Sequence, residues 1–149
     1  MVGGTFDPFH DGHRKLLARS FTLAGPKGKV IIGLTSDEFV ANKRHPIRSY
    51  EDRKKNLIQF IKDCGFSSTW SIEPLFDKFG SALKVDFDAI VVSEDTVSVA
   101  IEINRLRKNL GKKGVDIHQI ACVLTEDGKW ISGTRVYEGE IDDKGRLLK

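Results

Sequence analysis

The sequence is poor in the features that mark extracellular, membrane-bound and repetitive proteins. Its two cysteines, Cys64 and Cys122, lie in separate segments without the spacing of metal ligands. We therefore expect two reduced, buried thiols in a cytoplasmic protein. No apolar run approaches the roughly 18 residues of a membrane span, and the first residues lack the pattern of a signal peptide. No low-complexity tract or internal repeat is present.

The charge of the chain also lacks a strong sign. Its 24 basic and 21 acidic residues give a formal net charge of +3 and are spread along the chain. This balance suits an anionic small molecule at least as well as a nucleic acid, and the charge alone does not choose between them. Hydrophobic residues make up 40% of the 149 residues, which predicts a single globular domain over residues 1–149.

Short β-branched runs alternate with helical patterns along the chain. We predict strands at 30–34, 88–92 and 115–124, with a weaker candidate at 68–72. Helical patterns cover 13–24, 49–64 and 96–110, and a short last helix begins at Gly133. Apolar runs of this kind are typical of strands buried on both faces, so we predict an α/β fold with a doubly wound parallel sheet. Ligands of such folds lie beyond the carboxyl ends of the strands.

The opening stretch GGTFDPFHDGH, from Gly3 to His13, occupies the first predicted strand-to-helix junction. Only Met1 and Val2 precede it, so the first strand is either truncated or begins upstream. The glycines let a phosphate or a base approach the backbone. His10 and His13 fall at the start of a helix, where unpaired amides attract phosphate. Zinc is disfavoured, because no glutamate or cysteine completes a ligand set and helical zinc ligands prefer i, i+4 spacing.

A second group of phosphate ligands is predicted near the end of the chain, in the stretch ISGTR at 131–135. Ser132 and Thr134 offer hydroxyls, and Arg135 offers a guanidinium. The N-terminus of the predicted last helix adds backbone amides. Together these groups would bind the oxygens of a triphosphate.

Both stretches resemble signatures of one superfamily. GTFDPFHDGH resembles the HxGH signature of the nucleotidyltransferase α/β phosphodiesterase superfamily, whose members transfer AMP or CMP from a nucleoside triphosphate to an acceptor. ISGTR resembles the ISSTR loop of the same superfamily, with Gly133 in place of the second serine. The resemblance implies a Rossmann-like nucleotidyltransferase fold.

Three middle segments narrow this resemblance. GLTSDE (33–38), VVSEDT (91–96) and INRLR (103–107) are similar to stretches of the phosphopantetheine adenylyltransferases of archaeal and eukaryotic type. Asp95 stands where that family usually has glutamate. The family transfers the adenylyl group of ATP to 4′-phosphopantetheine, which yields dephospho-coenzyme A and pyrophosphate in coenzyme A biosynthesis.

The resemblance also implies roles for individual residues. His13, His10 and Lys43 would be the catalytic residues. The ATP ligands would be Gly4, Thr5, Phe6, His10, His13, Ser93, Glu94, Ser132, Gly133, Thr134 and Arg135. The acceptor ligands would be Thr5, Lys43, Arg44 and Arg107, with either Lys43 or Arg44 holding the acceptor phosphate. Mg²⁺ would accompany ATP without a metal site of the protein's own, and we expect neither a nucleic acid nor a membrane as partner.

Several alternatives stay open on the sequence. A nicotinamide-nucleotide adenylyltransferase would suit the ISGT form of the last loop, and glycerol-phosphate cytidylyltransferases share GTFD and HxGH. The TSDE and VVSEDT segments disfavour both. The alternatives of another class are a catalytically silent nucleotide-binding module and a fragment of a class I aminoacyl-tRNA synthetase. The chain lacks the KMSKS-like loop of a synthetase, and it retains both histidines and the late basic loop of an active enzyme.

Overall fold

Parallel strands and helices alternate in the structure, a computed structural model that describes residues 1–43 and 45–148. The strands are β1 (Val2–Gly4), β2 (Lys29–Thr35), β3 (Thr69–Leu75), β4 (Ala89–Ser93) and β5 (Asp116–Ile120). The helices are α1 (Asp11–Ala24), α2 (Tyr50–Cys64), α3 (Val97–Asn109) and α4 (Gly133–Tyr137), and a 3₁₀ helix covers Gly80–Leu83. The predicted α/β fold is confirmed. The weak candidate at 68–72 is a full strand, whereas the strand predicted at 115–124 ends at Ile120.

The strands form two parallel sheets that meet edge to edge. β1, β2 and β3 pair in one sheet, and β4 pairs with β5 in the other. Met1 joins them, because its amine donates to the carbonyl of Ala89 at 2.7 Å and its carbonyl accepts from the amide of Val91 at 2.9 Å. The spatial order is therefore β3-β2-β1-β4-β5. The strand order reverses between β1 and β4, which is the point where doubly wound folds bind ligands.

Hydrophobic cores lie on both faces of this array. Even positions of β2 face α1 and α2, and the buried residues of this core are Val2, Phe6, Leu17, Phe21, Val30, Ile32, Leu34, Leu57 and Ile61. A second core lies against α3 and consists of Ala82, Ile90, Val92, Ala100, Ile103 and Val115. Because strand side chains alternate between faces, the helices cover both sides of the array and leave the carboxyl ends of the strands for loops.

The longer helices begin and end at residue types that are typical of helix caps. The hydroxyl of Ser49 accepts from the amide of Asp52 at 3.2 Å and caps α2. Gly111, with a φ of +73°, follows the last residues of α3. The predicted burial of both thiols is wrong, since Cys64 at the end of α2 is exposed and Cys122 is half-buried. Among the described residues, no helix has the length and apolar character needed to cross a membrane.

The end of the chain, for which the sequence offers no prediction, is fastened to the start of α1. Ile141 and Leu147 form an antiparallel bridge that closes a short turn. Within that turn, the carbonyl of Asp143 accepts from the amide of Asp11 at 2.8 Å, and its carboxylate accepts from Arg14 at 2.5 Å. These contacts help to place the first turn of α1.

Candidate functional site

The turn between β1 and α1 is held from inside the protein. Phe6 has a φ of +55° and is 2% exposed, so a bulky residue adopts left-handed backbone within the core. Arg53 of α2 donates to the carbonyl of Thr5 at 3.3 Å and to Oγ1 of Thr35 at 3.1 Å. The hydroxyls of Thr35 and Thr5 are 3.0 Å apart. These contacts fix the backbone that carries Thr5.

His10 and His13 cap the first turn of α1 with their own rings. Nδ1 of His10 accepts from the amide of Gly12 at 3.0 Å, and Nδ1 of His13 accepts from the amide of His10 at 3.2 Å. This is a capping box in which imidazoles replace the usual hydroxyl and carboxylate. A nitrogen that accepts a hydrogen bond carries no proton, so each neutral ring has its hydrogen on Nε2. Nε2 is thus the donor left for a ligand.

Both rings are neutral at physiological pH. Burial lowers the pKa of His10 to about 4, and the nearby guanidinium of Arg14 adds to the shift. Burial, followed by the adjacent His10, holds the pKa of His13 well below its ordinary value. The rings stack with centroids 3.8 Å apart, a separation at which two imidazolium ions would repel each other strongly. The site therefore offers two uncharged N–H donors.

The first amides of α1 are already taken, which corrects one expectation from the sequence. The amide of Asp11 donates to Asp143, and the amide of Gly12 donates to His10. A phosphate at this helix would therefore meet imidazole nitrogens instead of unpaired amides. The HxGH spacing contributes to this result because it returns Nδ1 of His10 to the amide of Gly12.

Glycines allow the first and last loops of the site to touch. A Cβ at Gly12 would lie 2.8 Å from Cε1 of His10 and 3.0 Å from Cγ2 of Ile131. A Cβ at Gly133 would lie 3.2 Å from Cδ of Pro8, which is tighter than ordinary van der Waals contact. The glycine that replaces the second serine of ISSTR therefore lets the late loop approach the first one closely.

The late loop presents its hydroxyls at the start of α4. Oγ of Ser132 accepts from the amide of Arg135 at 3.2 Å, and its own hydrogen is left to donate. Thr134 lies in the first turn, where helix amides have no intrahelical acceptor. This loop is a group of neutral donors, like the histidine turn opposite.

The two loops line one cavity of about 570 Å³ at the switch point between β1 and β4. The predicted site residues that line it are Gly4, Thr5, His10, His13, Lys43, Ser93, Ser132, Gly133 and Thr134. The sequence predicts that the two histidines, the late hydroxyls and the guanidinium of Arg135 converge on one cleft; the structure brings the histidines and hydroxyls together there, but Arg135 does not line it. The roles of the individual residues stay predictions.

Lys43 lines this cavity, and the segment 45–48, which follows it in the chain, contacts two other parts of the site. The carboxylate of Asp7 accepts from the amide of Arg48 at 2.7 Å and from its guanidinium at 3.4 Å. The ring of His45 stacks on Tyr137 of α4 with centroids 5.0 Å apart. The segment 45–48 thus contacts both the turn between β1 and α1 and the helix α4. Arg44, the other candidate for the acceptor phosphate, lies outside the described residues.

Three predicted ATP ligands do not line the cavity. The ring of Phe6 is in the core, 5.1 Å from the ring of His13. The carboxylate of Glu94 accepts from the amide of Cys122 at 3.2 Å. The guanidinium of Arg135 donates to Asp127 at 2.7 Å and to Glu140 at 2.8 Å. Motif resemblance places these residues near the site, but it does not determine where their side chains point.

Arg107 is predicted as an acceptor ligand, but it lies near the amino ends of the strands, opposite the cavity. Its guanidinium donates to the carbonyls of Ala82, Val85 and Lys113, each at 2.8 Å. These carbonyls belong to segments that precede β4 and β5, whereas the cavity lies where the strands end. The prediction is wrong because the side chain leaves α3 toward the amino ends of the strands.

Sequence reasoning missed much of the cavity wall after β4 and β5. The missed residues there include Asp95, Thr96, Ala121, Cys122 and Val123. Their position directly after predicted strands is a signal that could have found the first two. The other three were concealed because the strand was predicted to continue to 124, four residues past its observed end.

A second cavity of about 210 Å³ adjoins the first, and Gly3, Gly4 and Thr96 line both. Its remaining walls are mostly apolar and include Ile31, Leu75, Phe79, Ala82, Val99 and Ile103. Gly3 is aligned with Gly33 across β1 and β2, so two neighbouring positions carry no side chain. A Cβ at Gly33 would lie 2.7 Å from Leu75. The paired glycines thus leave a space between the sheet and α3.

The chain is similar to known proteins over nearly its whole length. A phosphopantetheine adenylyltransferase of Methanosarcina barkeri is 48% identical over 149 residues, which cover 99% of this chain and 91% of that protein. A phosphopantetheine adenylyltransferase of Archaeoglobus fulgidus is 35% identical over 148 residues, covering 99% of this chain and 97% of that protein.

A solved structure shares the fold. The crystal structure of a protein with unknown function from Archaeoglobus fulgidus matches with a TM-score of 0.73 and 31% sequence identity, over 80% of this chain and 86% of that chain. The family model described as cytidylyltransferase-like matches residues 1–139, which include both loops of the site. This chain therefore belongs to the cytidylyltransferase-like family.

Proposed function

We propose that this protein transfers the adenylyl group of ATP to 4′-phosphopantetheine, giving dephospho-coenzyme A and pyrophosphate. The observation that carries the proposal is the pair of adjoining cavities. The larger one collects N–H and O–H donors that suit phosphates, and the smaller one is apolar. Pantetheine offers a long uncharged arm with methyl and methylene groups for the mostly apolar cavity, whereas nicotinamide mononucleotide offers a charged ring and glycerol phosphate only a short chain of hydroxyls. Relatives named phosphopantetheine adenylyltransferase support the same acceptor.

The reaction brings two anions together and expels a third. An oxygen of the acceptor phosphate attacks the α-phosphorus of ATP and forms a new phosphorus–oxygen bond. The bond from the α-phosphorus to the bridging oxygen breaks, and pyrophosphate leaves with the electron pair. The attacking phosphate is already ionised, so no general base is required. Catalysis therefore rests on positioning and on stabilisation of developing charge.

The imidazoles act on the phosphates of ATP. His13 donates from Nε2 to the α-phosphate as its charge develops, and His10 binds the phosphate beside it. The lowered pKa values of both rings keep these nitrogens in one protonation state from neutral pH down to mildly acidic pH. The cap bonds to Nδ1 support this assignment, because they leave one donor on each ring for the nucleotide.

Thr5 and Lys43 hold the acceptor phosphate. Thr5 lies just beyond the end of β1, where the two cavities meet at Gly4. Lys43 adds a positive charge from the opposite loop. Together they would set the attacking oxygen in line with the α-phosphorus, while the arm extends into the apolar cavity.

The late loop binds the leaving group. The hydroxyls of Ser132 and Thr134 and the amide of Gly133 contact the β- and γ-phosphates, and Ser93 lies against the nucleotide from the end of β4. Arg135 contributes indirectly, since its bonds to Asp127 and Glu140 brace the loop on the side away from the cavity.

In this proposal Mg²⁺ would accompany the triphosphate and would supply positive charge that offsets part of the phosphate charge. Within residues 1–43 and 45–148, no group of three or more His, Cys, Asp or Glu side chains could hold a metal ion. Asp95 lines the cavity and would supply a single carboxylate. Triphosphate oxygens and water would supply the other ligands, which fits the preference of Mg²⁺ for a largely hydrated shell.

The test is release of pyrophosphate with ATP and each of three acceptors, 4′-phosphopantetheine, nicotinamide mononucleotide and glycerol 3-phosphate. CTP replaces ATP in a parallel series. We expect turnover with ATP and 4′-phosphopantetheine, and mass spectrometry should identify dephospho-coenzyme A as product. If only nicotinamide mononucleotide or only glycerol 3-phosphate were turned over, that compound would be the acceptor and the proposal of 4′-phosphopantetheine would be wrong. Silence with all three would favour a nucleotide-binding module.

A further inference from the structure

We infer that Thr35 and Arg53 are positioning residues that direct the hydroxyl of Thr5 toward the acceptor phosphate; the inference rests on the proposed function. The three side chains form a continuous series of hydrogen bonds. It starts at a guanidinium inside the protein, passes through one hydroxyl on β2, and ends at a hydroxyl that lines the cavity.

Arg53 gives this series its direction. Its side chain is completely buried, and it also donates to the carbonyl of Arg48 at 2.8 Å and to the carboxylate of Asp37 at 3.2 Å. A guanidinium has donors and no acceptor, so Oγ1 of Thr35 must accept from it at 3.1 Å. The hydrogen of the Thr35 hydroxyl then has to point elsewhere.

Thr5 is the next member. Within the described part of the chain, Oγ1 of Thr5 is the acceptor in reach of the Thr35 hydroxyl, at 3.0 Å. Because Thr5 accepts this hydrogen, its own hydrogen is turned away from Thr35, and Thr5 lines the larger cavity. A phosphate oxygen needs a donor, and the series holds Thr5 in the donating orientation before the ligand arrives.

The same guanidinium also restrains the backbone of Thr5. It donates to the Thr5 carbonyl at 3.3 Å, immediately before Phe6 adopts its left-handed conformation. Thr35 itself is 7% exposed and lines the apolar cavity. Valine would fill nearly the same volume at this position, so a role in packing alone would survive that substitution.

The test compares wild type with Thr35→Val, Thr35→Ser, Thr5→Val and the double variant Thr5→Val/Thr35→Val. We expect Thr35→Val to lower kcat/KM for 4′-phosphopantetheine about three- to ten-fold, as loss of one directed hydrogen bond does. KM for ATP should stay within about two-fold of wild type, and Thr35→Ser should restore most of the loss because it keeps the hydroxyl. The double variant should match Thr5→Val, since Thr35 acts through Thr5.

Several results would overturn the inference. One is a Thr35→Val enzyme with wild-type kcat/KM for 4′-phosphopantetheine, and another is an equal loss of kcat/KM for ATP and for the acceptor. The others are a Thr35→Ser enzyme as impaired as Thr35→Val, and a double variant in which the losses of the two single variants multiply. Thermal unfolding of each variant shows whether the fold is retained. Thr35→Val leaves Arg53 its three other acceptors, so we expect a folded protein.

A binding measurement separates this inference from the proposed function. Inorganic phosphate is titrated into each variant and followed by ³¹P NMR, which requires no turnover. Weaker phosphate binding by Thr35→Val and Thr5→Val, with recovery in Thr35→Ser, supports the series whichever acceptor the enzyme uses. Equal phosphate affinity in all variants contradicts it, even if wild type turns over 4′-phosphopantetheine. Wild-type silence with that acceptor contradicts the proposed function alone.

Discussion

Arg53 and Arg107 are both 1% exposed, and they lie at opposite ends of the strands, Arg53 at the carboxyl ends and Arg107 at the amino ends. Each donates to backbone carbonyls and reaches one exposed aspartate, Asp37 for Arg53 and Asp86 for Arg107. Arg53 lies under the turn that follows β1, whereas the partners of Arg107 precede β4 and β5. Chemically similar buried cations therefore serve different ends. At the carboxyl ends of the strands the bound carbonyls belong to a loop of the candidate site. At the amino ends they belong to segments that only support the fold.

The largest effect is expected at the carboxyl ends of the strands, where the candidate site lies. His13→Ala should lower kcat by on the order of 10²–10³ or more, because a donor to the developing charge is lost. The variant also loses one cap bond of α1, so we expect the free energy of unfolding to fall by about 1 kcal/mol, too little to account for the loss of activity. Pyrophosphate release and thermal unfolding measure the two effects. Wild-type turnover by the variant would remove His13 from the mechanism.

The matching test at the amino ends of the strands is the variant Arg107→Leu. It leaves three backbone carbonyls without their donor, and we expect the free energy of unfolding to fall by about 2–4 kcal/mol. The KM for 4′-phosphopantetheine of the folded enzyme should not change. Urea unfolding measures the loss, and Arg105→Leu, at an exposed position of the same helix, is the control. A raised acceptor KM with unaltered stability would return Arg107 to the phosphate site.

A third test uses pH, because burial in the fold lowers the pKa of His10. An unfolded histidine binds a proton near pH 6.5, whereas His10 in the fold does so only near pH 4. Between these values the unfolded state binds more protons, so stability present above pH 6.5 is lost as the pH falls toward 4. The loss from His10 should reach about 3 kcal/mol.

The control for the pH effect is His10→Asn, which keeps an acceptor for the amide of Gly12 but does not titrate. The free energy of unfolding is measured by urea at pH 7.0, 6.0, 5.0 and about 4.5, where His10 begins to take up its proton. A shallower pH dependence in the variant is the expected result. Identical slopes in the two proteins would show that His10 is not held neutral by the fold.

The smallest effect is expected for Lys43, an exposed charge at the carboxyl ends of the strands. Lys43→Ala should raise KM for 4′-phosphopantetheine about ten-fold, the effect of losing one partly solvated charged contact. KM for ATP should hold, and Lys55→Ala, at an exposed position of α2, provides the control. Unchanged kcat and KM in Lys43→Ala would assign the acceptor phosphate to Arg44.

The predictions from sequence succeeded where local pattern has a direct structural meaning. Apolar runs located the strands, and the two glycine-containing stretches located the loops of the site, because backbone access and helix starts depend on neighbouring residues. The sequence did not determine where the side chains of Arg107 and Arg135 point, because their partners lie five or more residues away, among them Ala82, Val85, Asp127 and Glu140. A long side chain reaches in several directions, and the neighbours that decide its direction are brought together only by folding.

Thr35 shows the same limit from the other side. Its segment GLTSDE carries the family resemblance, yet nothing local marks the threonine as a contact of Thr5, thirty positions away. The parallel pairing of β1 with β2 brings the two hydroxyls together. Likewise, Gly3 and Gly33 leave room for a cavity only because the pairing of β1 with β2 aligns them in register.

The sequence by itself determined the α/β order of elements, the position of the imidazoles at the first turn of α1, and the two stretches that meet at the cleft. These follow from short-range rules of periodicity, capping and backbone freedom. Tertiary structure alone decided which side chains face the cleft, which arginine supports it, and where an apolar space opens beside it. The physical reason is that burial and hydrogen-bond direction depend on neighbours far away in the chain, and their positions are set when the sheet is assembled.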